Sequence, residues 1–181
     1  MSIIETMELN DTWVWRYHVK DKTKDYEQNT GTLGKFNTIE DFWRYFNNIP
    51  KPTEFFKKDE TTKYINGKYI HSWSIFREGI EPAWEDERNI NGGEVNLRSF
   101  SSMEELDKLW EHCIVVILGE EMNYSKNITG IRVVDSSNHY KFMHRIEIWY
   151  DDIKIEEKIK KDVRSVFEFP EKGNIIYKGH K

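Results

Sequence analysis

The chain has one cysteine, Cys113, in 181 residues. A lone cysteine excludes an internal disulfide framework and a cysteine-based zinc site. Long apolar runs are also missing. The longest, residues 113–118, is far shorter than the roughly 18 residues a membrane-spanning helix needs. Residues 1–10 show neither a basic start nor the apolar stretch of a secretory signal. These absences lead us to expect an intracellular protein of the cytoplasm, with the nucleus as a second compartment and no membrane contact. Positive charge is in the minority: 27 lysines and arginines face 32 acidic residues, a net charge of -5. That balance argues against a protein that tracks nucleic-acid backbones by charge alone. It leaves room for one that grips a single anionic group with a local basic cluster. With only four prolines, no repeat and no low-complexity tract, residues 1–181 read as one domain. Glycine-rich phosphate loops, HExxH spacing and nucleophile elbows are absent too, so no catalytic residue, metal or cofactor is expected.

Aromatic residues are plentiful. They make up 14% of the chain and include seven tryptophans. Large rings fill cores, and they also make stacking platforms for flat ligands. Residues 1–10 read as a loose leader, followed by a strand over 13–19, a charged turn over 20–25 and a strand over 32–37. Thr38 is placed to cap a helix, with Glu40 and Asp41 suited to its positive end. Ile39, Phe42, Trp43 and Phe46 follow at helical spacing, and Pro50 and Pro52 forbid continuation. Residues 50–68 read as a long surface loop or hairpin turning at Asn66-Gly67. Strands are expected over 70–76 and 94–99, with a charged loop over 78–91 between them. Ser102 and Glu105 form a capping-box pattern ahead of Leu106, Leu109, Trp110, Cys113, Ile114 and Ile117, with Gly119 as the stop. Strands over 128–134 and 140–149, a helix over about 152–167 and a last strand over 175–177 complete the chain.

This is an α+β pattern. Its simplest packing is one curved, mainly antiparallel sheet with three helices on the convex face and an open concave ligand face. The strand over 140–149 tests the idea by its alternation. Tyr140, Phe142, His144, Ile146 and Ile148 suit the helix side. Lys141, Met143, Arg145, Glu147 and Trp149 make a mixed face with two cations and a large ring, suited to an aromatic, anionic ligand or to plain solvent. Residues 79–89, GIEPAWEDERN, then present Trp84 in a charged loop, followed at once by Glu85, Asp86 and Glu87. A ring beside a carboxylate can read guanine: the ring stacks on the base, and the carboxylate accepts from N1–H and N2–H₂. Methylation at N7 makes the base cationic and adds a cation–π term. The same three acids also permit an acid–base enzyme reading.

GIEPAWEDERN, together with KFNTIEDFW (35–43), LDKLWEHCIVVILGE (106–120) and RIEIW (145–149), resembles the eukaryotic translation initiation factor 4E family, the messenger-RNA cap-binding proteins. The resemblance spans about residues 9–180. It implies a non-enzymatic monomer that binds the 7-methylguanosine triphosphate group of capped messenger RNA. Tyr26 and Trp84 match the stacking pair, and Glu85 matches the reader of the guanine edge. The backbone N–H of Trp84 matches the donor to O6, Trp149 the contact to the N7-methyl group, and Arg145 a phosphate-binding cation. Lys141, Arg132 and His139 are further candidates for the phosphates. Ile39, Trp43, Val115 and Glu111 match the surface that takes a Tyr-containing helical motif of an initiation scaffold or repressor. Several features depart from the family pattern. Tyr26 stands where Trp is usual, Glu94 replaces a basic residue, Glu111 replaces Leu, and the loops over 50–72 and between the last two long strands are enlarged. An adaptor or repressor with weak or absent cap binding is the alternative.

Overall fold

The computed structural model describes residues 6–20, 23, 27–56, 64–137, 143–167 and 174–180. Eight strands are described: β1 (Glu8–Val19), β2 (Thr30–Thr38), β3 (Tyr64–Ile65), β4 (Lys68–Arg77), β5 (Gly93–Arg98), β6 (Ile128–Asp135), β7 (His144–Tyr150) and β8 (Asn174–Gly179). They form one open sheet of order β2-β1-β4-β6-β7-β5-β8, with β3 paired to β4 alone. Every described ladder is antiparallel. Among the described residues four α-helices accompany the sheet: α1 (Ile39–Phe46), α2 (Pro52–Phe56), α3 (Met103–Leu118) and α4 (Glu156–Val166). No helix among the described residues is long and apolar enough to cross a membrane.

Local chemistry explains most boundaries. Thr38 Oγ1 accepts from Asp41 N at 3.1 Å and starts α1. Ser102 Oγ accepts from Glu105 N at 3.1 Å and starts α3. The Glu105 side chain reaches back one residue further than a standard capping box, to Ser101 N. The end of α3 differs from expectation. Gly119 keeps a right-handed φ of -77°, and Glu120 takes the left-handed position at φ 52°. Glu120 N and Glu121 N donate to Ile117 O and Val116 O at 3.2 and 3.1 Å, which is a Schellman closure. Residues 8–10, expected in a leader, belong to β1. Residues 52–56, expected in a loop, form α2, with Pro52 in its first turn where a missing N–H costs nothing. Phe55 and Phe56 pin it to the core. The last helix starts at Glu156, after a 3-10 turn over Ile153–Ile155 whose first N–H groups include Lys154 N, bonded to Asp152.

The main apolar cluster lies between one sheet face and the helices. Trp15, Trp73, Ile75, Ile131, Val133, Ile146, Ile148, Val95 and Leu97 meet Phe42 of α1, Leu106, Cys113 and Ile114 of α3, and Ile159 and Val163 of α4. The opposite face carries the other half of each alternation. Cross-strand register lines up three rows there. The first is Val14, Phe76, Gly130, Trp149, Glu94 and Lys178; the second is Arg16, Ser74, Arg132, Glu147, Asn96 and Ile176; the third is His18, Ser72, Val134, Arg145, Arg98 and Asn174. Gly130 is required in the first row, because a Cβ there would sit 2.3 Å from the Phe76 ring.

Candidate functional site

The segment between β4 and β5 is a tied turn. Both carboxylate oxygens of Asp86 accept backbone N–H groups, from Glu81 at 2.8 Å and Arg88 at 2.9 Å. Asn89, fully buried, donates its amide to Glu81 O at 2.8 Å and Ala83 O at 3.0 Å. Ile80 drops beneath the turn and joins Phe76 and Trp149 in a small second apolar cluster. Trp84, 42% exposed, and the exposed Glu85 are left at the surface. Asp86 is thus occupied in holding the backbone of the turn.

The C-terminal strand closes on this turn. His180 Nδ1 donates to Asn89 O at 2.8 Å. The imidazole lies nearly parallel to Trp84, at 17° with 6.1 Å between centroids, and packs on Trp149 at 4.4 Å. Its Nε2 faces Glu94 Oε2 at 3.6 Å. The other Glu94 oxygen accepts from Asn96 at 3.0 Å. Lys178, opposite Glu94 in register, turns its ammonium onto Trp84, 3.8 Å from the ring centre. Gly92 is needed where these strands converge, since a Cβ would meet Tyr150 O at 1.8 Å.

Away from Trp84 the open face becomes basic. Arg145 stands four residues from Trp149 along β7, about 13 Å at the usual rise, and directly opposite Arg98. Glu147 lies between them and is fully buried. It accepts from Arg132 Nε at 2.7 Å, Arg145 Nε at 2.5 Å and Trp149 Nε1 at 3.1 Å. Burial pushes its carboxyl up, but the two guanidinium groups and their hydrogen bonds outweigh this and hold it down at about 2. Arg132 also covers the Trp149 ring, 5.0 Å from its centre. The face can therefore take an anion at its arginines and a flat, cationic group at Trp84.

The structure brings Trp84, Trp149, Arg145 and Arg132 to this one face and leaves Glu85 exposed next to Trp84 in the chain. Trp149, which the resemblance sets against the ligand's methyl group, is fully buried beneath His180 and Arg132. Tyr26, Lys141 and His139 lie outside the described residues. Lys178, His180, Arg98 and the central role of Glu147 were not foreseen. Period-2 alternation in residues 174–179 was the available signal for Lys178.

A second feature lies on the helix-covered side. Trp43 on α1 is 36% exposed and Val115 on α3 is 37% exposed, with Ile39 and Glu111 partly buried. The burial on α1 falls to Phe42, whose ring supports Trp43 at 4.9 Å.

Comparison with known proteins gives a consistent picture. Eukaryotic translation initiation factor 4E1 of Drosophila melanogaster is 30% identical over 179 residues, covering 96% of this chain and 62% of that protein. Human eukaryotic translation initiation factor 4E is 28% identical over 154 residues, covering 83% of the chain and 64% of its own length. The chain thus spans a little under two thirds of these relatives. Among solved structures, Ascaris suum eIF4E-3 in complex with m2,2,7G cap superposes with a TM-score of 0.77 at 26% identity, covering 98% of this chain and 93% of that one. C. elegans eIF4E-3 in complex with the 4E-binding protein Mextli shares the fold, with a TM-score of 0.78 at 24% identity and coverage of 98% and 95%. The family described as Eukaryotic initiation factor 4E matches residues 8–181, and the chain belongs to it.

Proposed function

We propose that this chain is a non-enzymatic binder of the 7-methylguanosine 5′ cap of messenger RNA, acting in the cytoplasm and recruiting a scaffold partner for translation initiation. The observation that supports the reading is the tied turn over 78–92, which leaves Trp84 and Glu85 exposed at the end of a face that also carries arginines. The methylated base stacks between Trp84 and Tyr26. Glu85 accepts from the guanine N1–H and N2–H₂, the backbone N–H of Trp84 serves O6, and Trp149 lies on the N7-methyl side. The triphosphate runs down the face toward Arg132, Arg145 and Lys141. The partner's Tyr-containing helix docks at Ile39, Trp43, Glu111 and Val115, on the opposite side of the sheet, in the helix-in-groove manner.

The test is a fluorescence titration with 7-methyl-GTP and with GTP. The methylated compound should bind more tightly by at least the cation–π increment, on the order of 1 kcal/mol or about fivefold. Equal affinity for the two overturns the cap reading. A second reading, an adaptor with weak or absent cap binding, is favoured by Glu94, a buried acid in the same row as Trp149 and Lys178. Absent cap binding with intact binding of the helical peptide would select it.

A further inference from the structure

Lys178 and Trp84 make a direct contact across the open face. The Lys178 ammonium stands 3.8 Å from the centre of the Trp84 ring, within the range of a direct cation–π contact. Trp84 is the half-exposed ring left at the surface by the tied turn. Glu94, the acid opposite Lys178 in register, does not claim the lysine. Its two oxygens turn to Asn96 and His180 instead. Among the described residues no ion pair is formed by Lys178. Arg132 and Arg145, further along the face, are different, since both are tied to the buried Glu147.

We infer that Lys178 is a resident stand-in for a cationic base: it occupies the Trp84 ring in the free protein, is displaced when the base stacks there, and then pairs with the ligand's phosphates. The inference rests on the cap reading above and adds a specificity residue to it. A ring that holds an ammonium is held in the same way by an N7-methylated, positively charged purine, and the purine adds stacking area. An uncharged base must displace the same lysine without a charge of its own to replace it. Lys178 therefore sharpens the preference for the methylated form. Once displaced, its four-carbon stem gives the ammonium reach toward the anionic tail, where its charge is not already shared with Glu147. The net effect depends on the ligand. Lys178 opposes a methylated nucleoside, which has no phosphate, and it favours a methylated triphosphate.

Lys178→Met removes the charge and keeps the length of the side chain. Binding of 7-methylguanosine and of 7-methyl-GTP should be titrated with the full chain, alongside Lys178→Arg and a melting curve for each variant. In Lys178→Met the nucleoside should bind roughly two- to fivefold more tightly, and the triphosphate should bind no more tightly than to the wild type, so that the advantage conferred by phosphate shrinks. Lys178→Arg should restore the wild-type pattern. Acrylamide should quench the free Lys178→Met variant more than the wild type, and this difference should vanish in a Trp84→Phe background. Equal changes for both ligands, or unchanged nucleoside affinity, overturn the inference. A wild type that binds neither ligand while Lys178→Met binds the nucleoside supports it, with the lysine as a full cover. If neither protein binds either ligand, the cap reading itself fails and the inference falls with it. If both bind but the quenching difference is missing, only the Lys178 inference fails.

Discussion

Arg145 stands directly opposite Arg98 across the β5–β7 ladder, both on the open face. Like charges so placed disfavour a sheet. Glu147, fully buried and bonded to both Arg145 and Arg132, supplies the counter-charge on the Arg145 side, while Arg98 donates to Asn96 Oδ1 at 3.4 Å. The same carboxylate aims the two guanidinium groups, so the basic patch is set by a residue with no exposed surface of its own.

Glu147→Gln should therefore destabilise the fold by about 3 kcal/mol or more, the cost of leaving buried cations without their counter-charge. The pH dependence gives a sharper test. The Glu147 carboxyl is held at about 2 against an ordinary value of 4.5, so the unfolded chain takes up the proton first. The stabilisation is whole above about pH 4.5 and drains away as pH falls toward 2. Urea midpoints measured across that range should fall steeply in the wild type and much less in Glu147→Gln.

His18 and His71 define a separate window. Burial and nearby cations, Arg132 and Lys20 beside His18 and Lys20 foremost beside His71, hold both rings down at about 4 from 6.5. Their rings lie 6.1 Å apart, and His18 adds to the causes that disfavour charge on His71. The unfolded chain binds these protons between pH 6.5 and 4 while the folded chain does not, and stability falls as pH drops through that interval. His71→Gln should flatten the slope between pH 6.5 and 4 and leave the more acid limb in place. An unchanged slope would mean that the histidines are not held neutral by the fold.

Glu85→Gln should lower affinity for 7-methyl-GTP by roughly 1.5–3 kcal/mol, because the amide accepts from one guanine donor and turns its own N–H₂ toward the other. Since Glu85 is exposed and Asp86 and Asn89 hold the turn, the melting temperature should stay within about a degree or two, as expected of a surface substitution. Unchanged affinity would remove Glu85 from the site.

Trp43 and Phe42 should separate binding from stability. Trp43→Ala should weaken a Tyr-containing helical peptide by about 2 kcal/mol or more and leave cap affinity nearly unchanged. Phe42→Ala, at 3% exposure, should cost about 3–5 kcal/mol of stability. A melting curve on each variant, with peptide and cap titrations, checks the division. A Trp43→Ala variant that melts as early as Phe42→Ala would assign Trp43 to the core.

Much of this was legible in the chain because it depends on local chemistry. The Thr38 and Ser102 caps, the α3 stripe and the alternation in β7 all rest on neighbours within a few residues. α2 escaped because Pro50, Pro52 and the nearby lysines read as loop, while the burial of Phe55 and Phe56 depends on distant partners. On α1 the periodic stripe could not tell Trp43 from Phe42, since spacing gives a face and not a depth. His180 carries no signal of its role in its neighbouring residues. Its partner, Asn89 O, lies 91 positions earlier in the chain, and no spacing rule reaches that far.

Strand β7 is read twice, once by each side of the sheet. Ile146 and Ile148 fill the apolar cluster, while Arg145, Glu147 and Trp149 shape the opposite face. A single inserted or deleted residue within it would turn isoleucines toward water and arginine toward the helices. Recognition and folding therefore share one message in these seven residues. Such a strand tolerates replacement of its letters far better than any change in their number, so length variation in this protein should be confined to the loops on either side.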